Sequence, residues 1–198
     1  MANVFSYELD GNIYINLTNY CSNRCTFCVR NGKKSYYGNE LWLQKEPTVE
    51  EIIDSIDFTK DYKQAVFCGF GEPTYRIETT CKVATELKKR GLITRLNTNG
   101  QGNLIHGRDI TDDIKGCIDV VNVSLNAPEK DEYDKVCLSI FPNAFEGMLQ
   151  FAKLLKEKGV SVIFSIVDCI GEERVQKCQT LADSLGIPLK IREFIKDS

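Results

Sequence analysis

Asn12-Ile13-Tyr14-Ile15-Asn16-Leu17-Thr18-Asn19-Tyr20-Cys21-Ser22-Asn23-Arg24-Cys25-Thr26-Phe27-Cys28 decides the fold. From Asn12 to Thr18, Ile13, Ile15 and Leu17 alternate with Tyr14 and Asn16, which is the period of a strand with two unlike faces. The strand runs without a linker into a polar loop holding three cysteines at the spacing CxxxCxxC. A reactive loop at the C-terminal end of a strand is the usual placement in proteins built on a parallel sheet.

Reading outward, the same unit recurs. A polar, glycine-containing stretch follows to Glu46. Thr48 and Glu51 then form a capping box, so a helix begins there with Val49, Ile52, Ile53 and Ile56 on its apolar face. Gln64 to Cys68 is a short buried strand ending in the turn Gly69-Phe70-Gly71-Glu72-Pro73. Arg76 to Arg90 is a helix stopped by Gly91, and Thr94 to Thr98 a third strand closed by Asn99-Gly100. A weak helix spans Thr111 to Lys115 and a fourth strand Val120 to Leu125. Glu129 to Val136 and Ala144 to Lys158 are helical, the second ending at Gly159. Val160 to Val167 is a fifth strand, Glu172 to Leu185 a helix, and Pro188 to Ile191 a sixth strand. Strands alternating with helices predict one α/β domain over residues 1–198, a parallel sheet wrapped by helices. The alternation fits a partial barrel and an open doubly wound sheet equally well.

The 198 residues fit one domain, with 42% hydrophobic and 27% charged residues, as in a globular protein. A net charge of −3 does not indicate nucleic acid as a partner. No apolar run is long enough to cross a bilayer, so no membrane is expected. Met1 to Phe5 lacks the pattern of a secretory leader, so a cytoplasmic location is expected. Nine cysteines then read as metal ligands or reactive thiols rather than disulfides. So many thiols also suggest an anaerobic host.

Thiolates at CxxxCxxC spacing can surround three corners of an iron–sulfur cube. The fourth iron stays open, as a catalytic metal requires. A structural zinc site would want a fourth ligand, and the chain offers neither a second CxxC nor a His pair, its only histidine being His106.

The motif, with Phe27 immediately before the third cysteine, resembles the signature of the radical S-adenosylmethionine (SAM) superfamily. The resemblance implies a partial (β/α)6 barrel in which Cys21, Cys25 and Cys28 hold a [4Fe–4S] cluster. It also implies that SAM binds the open iron and is cleaved reductively to a 5′-deoxyadenosyl radical that abstracts hydrogen from a substrate, an oxidoreductase chemistry. The turn Gly69-Phe70-Gly71-Glu72-Pro73 resembles the family's GGEP motif, with Phe70 in place of glycine. Its exposed carbonyls and the Glu72 carboxylate are expected beside the SAM ammonium. Asn99, in a TNG turn, and Ser124 and Asn126, at the end of strand four, match positions where the family places groups near SAM. Each equally suits an ordinary turn or cap. Asp168 and Arg192 end the last strands and either face SAM or substrate or are solvated. Cys68 and Cys169, also at strand ends, are the candidates for a catalytic thiol that donates a hydrogen atom, or simply line the pocket. Cys81 and Cys178 read as core. Arg24, Arg30, Lys33 and Lys34 make the cysteine loop basic, which suits docking of an acidic electron donor of the flavodoxin or ferredoxin type.

In length and order of elements the chain is most like the small radical SAM proteins associated with TatD-type nucleases, which imply no substrate. The substrate is left as a small molecule or a protein. Two readings on the same fold stay open: a glycyl-radical-enzyme activase, and a small-molecule enzyme like 7-carboxy-7-deazaguanine synthase. An iron–sulfur electron carrier or sensor without SAM turnover is the rival from another class.

Overall fold

The structure is a computed structural model that describes residues 3–168 and 171–193. Its sheet contains β1 (Ser6–Leu9), β2 (Asn12–Ile15), β3 (Gln64–Phe67), β4 (Ile93–Thr98), β5 (Val120–Ser124), β6 (Ser161–Val167) and β7 (Leu189–Arg192). The helices are α1 (Val49–Asp54), α2 (Ile77–Lys89), α3 (Gly102–His106), α4 (Thr111–Lys115), α5 (Lys130–Cys137), α6 (Ala144–Glu157) and α7 (Glu172–Ser184).

Strand order in space is the order in sequence, β1 to β7, and every pair from β2 onward is parallel. A doubly wound sheet must reverse its order at a switch point. This one never reverses, so its helices wrap one face and the sheet curls toward a barrel. Among the described residues β7 pairs only with β6 and β1 only with β2, so the barrel is partial.

Ile13, Ile15, Ala65, Phe67, Leu96, Val121, Val123, Phe164 and Ile166 are buried on the convex face under the helices. There they meet Ile52 of α1, Leu87 of α2, Ile114 of α4, and Met148, Phe151 and Leu155 of α6. Each such side chain contributes about 2 kcal/mol of burial, and truncating Leu87 or Phe151 to Ala would cost about 2–5 kcal/mol. Thr48 and Glu51 form the foreseen capping box on α1. Gly91 and Gly159 stop α2 and α6 in the left-handed region, at φ 84° and 80°.

Two elements depart from the sequence expectation. The chain begins its sheet with an antiparallel strand, β1, joined to β2 by Asp10 and Gly11 at φ 53° and 73°. Both central residues at positive φ fit a tight hairpin whose twist matches the strands. The short helix α3 fills the connection after Asn99-Gly100, where the sequence predicts only a turn.

The concave face is unlike the convex one. It carries Tyr14, Cys68, Arg95, Asn97, Asn122, Ser124, Ser165 and Arg192, placed together by the strand register. A second apolar cluster of Tyr7, Leu41 and Phe70, flanked by Val4, Tyr14, Val29 and Tyr36, fills part of this side.

Candidate active site

The cysteine loop leaves β2 and is fixed on both flanks. On one side, the Arg24 N–H donates to Cys137 O at 3.0 Å and the Thr26 N–H to Val136 O at 2.9 Å. The Ile140 N–H reaches back to Ser22 O at 2.9 Å. The loop is therefore hung on the C-terminal turn of α5. On the other side, Arg30 donates Nη1–H to Asn19 O (3.1 Å) and Phe70 O (3.0 Å), and Nη2–H to Asn23 O (3.3 Å). Arg30 is thus a tie between the cysteine loop and the glycine turn, not a free docking charge. Arg24 and Lys34 remain exposed.

The glycine turn closes on the same loop. A Cβ on Gly69 would stand 2.1 Å from Asn16 Oδ1, and one on Gly71 would stand 2.2 Å from Thr18 O. Both positions demand glycine because the turn lies against the end of β2. Phe70 has no such constraint. Its ring packs edge-on to Trp42, centroids 5.2 Å apart, and joins Tyr7 and Leu41. Its carbonyl is bonded by Arg30 of the cysteine loop.

Glu72 is buried, and its carboxylate takes four donors. Oε1 accepts Thr74 N (3.0 Å), Thr74 Oγ1 (2.8 Å) and Thr98 Oγ1 (2.7 Å); Oε2 accepts Asn99 N (2.7 Å). Burial pushes its pKa up while these donors oppose the shift. Glu72 therefore joins the turn after β3 to the turn after β4. Asn99 continues the tie: Nδ2–H donates to Ser22 Oγ (2.9 Å) and lies 3.9 Å from Cys21 Sγ, while Oδ1 accepts from Gln101 N (2.9 Å). Gln101, fully buried, donates to Asn23 Oδ1 and Tyr133 Oη and accepts from Ser139 Oγ.

Ser22, Asn23, Gln101 and Tyr133 are not singled out by the sequence, and Arg30 is singled out only as a surface charge. Their partners lie up to 78 residues away, so no local pattern marks them. A Ser-Asn pair between the first two cysteines is the one available hint.

Ser124 lies on the concave face, paired in register with Ser165. Asn126 follows at φ 61°, an unusual conformation for a residue with a Cβ. It is buried, its Nδ2–H contacts Cys137 Sγ at 3.5 Å, and its Oδ1 has no partner within the protein. Phe27 is half-buried in the loop. Asp168 follows β6 and is exposed. Arg192 ends β7 with its Nε buried and unpartnered. Cys68, just past β3, is half-buried on the concave face. Burial pushes its thiol pKa up, against hydrogen bonding from Asn97 and the fields of Arg192 and Arg95. Cys169 lies outside the described residues. Cys178 is fully buried in the core. Cys81 is only partly buried and touches Asp113 O at 3.4 Å.

One indentation lies away from this site. A cavity of about 840 Å³, lined among others by Thr48, Arg76, Cys81 and Cys117, opens on the helix side. A second, of about 600 Å³, lies beside the cysteine loop between Asn19-Tyr20 and Leu43 to Glu46.

The loop fits an iron–sulfur cube. It offers three half-buried cysteines on one anchored segment. Among the described residues no three His, Cys, Asp or Glu side chains converge on a single ion. A cube asks for spread ligands, since each thiolate binds a different iron. Burial, with Glu72 second, pushes Cys21 up to about 12, and burial also raises Cys28. Cys25 is raised too, first by its hydrogen bond with the Cys137 thiol. The protein alone thus keeps these groups protonated, and iron must supply the charge that makes them thiolates.

A partial barrel of parallel strands with a three-cysteine loop at the C-terminal end of its first parallel strand defines a class of metal-cofactor proteins. The family model described as Radical SAM superfamily matches residues 15–184, and the chain belongs to that superfamily. A curated relative, the probable GTP 3′,8-cyclase of Thermococcus kodakarensis, is 28% identical over 125 residues, covering 63% of this chain and 38% of the relative. Among solved structures, Streptococcus suis SuiB bound to precursor peptide SuiA superposes with TM-score 0.69 at 14% identity, over 92% of this chain and 39% of that one. A radical SAM methyltransferase from Sphaerobacter thermophilus gives TM-score 0.62 at 13% identity, over 95% and 68%. These likenesses show the fold. The chain spans less than two-fifths of the length of the cyclase and of SuiB.

Proposed function

We propose that the protein is a radical SAM enzyme that cleaves SAM reductively and directs the radical to a substrate on the concave face of the sheet. The observation that carries this reading is the cysteine loop. It is held at the C-terminal rim of the barrel by Arg30, Asn99 and the end of α5. Cys21, Cys25 and Cys28 would hold a [4Fe–4S] cluster, which would supply the electron for the reductive cleavage of SAM. The chain's own residues do the placing. The backbone of Gly69 and Gly71 stands beside the loop and offers carbonyls toward the SAM ammonium, the Phe70 carbonyl being taken by Arg30. Ser124 and the unpartnered Oδ1 of Asn126 suit ribose hydroxyls. Asn99 directs an N–H at the Cys21 sulfur, which raises a cluster's reduction potential when it persists in the loaded state. Exposed Arg24 and Lys34, with exposed Tyr20 and Tyr37 nearby, form the face for an acidic electron donor.

Anaerobic reconstitution with iron and sulfide, then dithionite and SAM, tests the reading. Formation of 5′-deoxyadenosine supports it. An intact, reduced cluster that leaves SAM uncleaved refutes it in favour of an electron carrier or sensor. Cys21→Ala, Cys25→Ala or Cys28→Ala abolishes cluster binding, while Cys178→Ser retains it.

A further inference from the structure

The concave face holds more hydrogen-bonding capacity than the protein uses. Arg95 Nε, Asn97 Oδ1, Asn122 Oδ1, Ser165 Oγ and Arg192 Nε are all buried and without partners. Buried polar atoms in native proteins are almost always paired, so a concentration of orphans on one surface marks a place where a ligand completes them. Convex-face positions of the same strands are filled by Leu96, Val121, Val123, Phe164 and Ile166, so these unpartnered atoms belong to one face only.

The charge on this face has one sign. Among the described residues neither Arg95 nor Arg192 forms an ion pair. Arg95 acts on the Tyr14 hydroxyl, and Arg192 on that of Tyr36. Burial raises both phenols above their ordinary value, Tyr36 up to about 12, so they stay neutral and cancel no charge. Of the carboxylates that act on Tyr14 and Cys68, Asp10 lies at the far end of the strand and Glu72 is already bonded to four donors. Lys190, opposite Ser165, adds to the positive side. The strand register sets both guanidiniums on this one face, and both act on the Cys68 thiol although they stand on β4 and β7. Two partly dehydrated arginines with no counterion among the described residues suit an anion that joins them, and a guanidinium matches carboxylate and phosphate in two-point geometry.

We infer that Arg95 and Arg192 form the anion-binding end of the substrate site. The substrate is then a small polar molecule bearing a carboxylate or a phosphate, with its neutral polar groups against Asn97, Asn122 and Ser165. This rests on the concave face being the substrate side of a radical SAM enzyme, and it names the substrate's chemistry.

Calorimetric titration of the reconstituted, SAM-saturated protein at low ionic strength tests it, with inorganic phosphate and succinate as separate probes. One of them binds saturably at one site, phosphate pointing to a phosphorylated substrate and succinate to a carboxylate. Arg95→Gln and Arg192→Gln each weaken that binding at least ~10-fold. Arg95→Lys and Arg192→Lys, which keep the charge without the fork, weaken it less and serve as the folded controls. SAM affinity in Arg95→Gln stays within about twofold of the parent, since Arg95 is not among the SAM-holding groups. Binding of neither probe, or equal binding by parent and Gln variants, overturns the proposal. Loss of SAM affinity in Arg192→Gln also overturns it, by assigning that arginine to the cofactor. Deoxyadenosine formation is measured without either probe, so its failure bears on the enzyme reading alone.

Discussion

Replacing Phe70 by glycine would restore the family-like Gly-Gly-Glu-Pro turn, and it should destabilise this protein. The Phe70 side chain is only 4% exposed and packs with Tyr7, Leu41 and the edge of Trp42. Deleting a buried Phe to Ala costs about 3–5 kcal/mol, part transfer and part cavity. Glycine adds about 0.5–1 kcal/mol of backbone freedom. For a chain of this size each kcal/mol lowers Tm by roughly 2–4 °C, so Phe70→Gly should melt about 10 °C or more below the parent. Phe70→Leu, which refills most of the volume, should lose less than half of that. The assay is thermal unfolding by circular dichroism of the cluster-loaded protein under anaerobic conditions, at one scan rate for all variants. The ordering Phe, Leu, Ala, Gly in Tm is the signature. A Gly variant melting within ~2 °C of the parent would refute the assignment of this ring to the second apolar cluster.

Glu72→Ala leaves the N–H of Asn99 and the hydroxyls of Thr74 and Thr98 without their acceptor, a loss of about 3 kcal/mol. Glu72→Gln keeps one acceptor oxygen and loses less; equal melting of all three proteins would contradict the bridging role. Reversing Arg24 and Lys34 to Glu should slow cluster reduction by a flavodoxin-type donor several-fold at low salt and little at high salt, because screening removes the effect. Stopped-flow reduction that responds to neither charge nor salt rules that face out. Asp109 accepts hydrogen bonds from Thr111 N and Oγ1 and pairs with Lys158, which together hold its carboxyl down at about 2. A depressed pKa means the contribution is present above the unfolded value near 4 and is lost as pH falls toward 2. Asp109→Ala should therefore cost about 1 kcal/mol near neutral pH, discounted for exposure, and almost nothing at pH ~2. A gap that does not narrow in acid urea titrations would disprove this.

The alternation of strand and helix is legible because hydrophobic period is local, and capping signals such as Thr48 with Glu51 fix the start of α1. The hairpin before β2 escapes a reading centred on the cysteines, although Asp10-Gly11 between alternating apolar residues is a strong signal. Barrel closure is not legible, since strand order depends on packing between units. The cysteines announce themselves by spacing. What holds them does not: Arg30 reads as a surface charge, and Gln101 carries no motif at all. A side chain whose partners lie in another βα unit leaves no periodic trace. Phe70 is visible as a departure, but its reason lies in Trp42 and Leu41, far along the chain.

The bridge from Glu72 to Asn99 to Ser22 has a consequence for how the protein matures. Those bonds and the α5 anchor run between backbone and side chains of the barrel and the loop, so the barrel constrains the path of the cysteine loop independently of iron–cysteine bonds. Small zinc domains fold only around their metal, so ligand binding must also order the chain. Here ordering is already supplied by the barrel, and iron and sulfide enter a framed socket. The iron-free chain should thus survive purification as a folded protein, accept a cube, lose it to oxygen, and accept another.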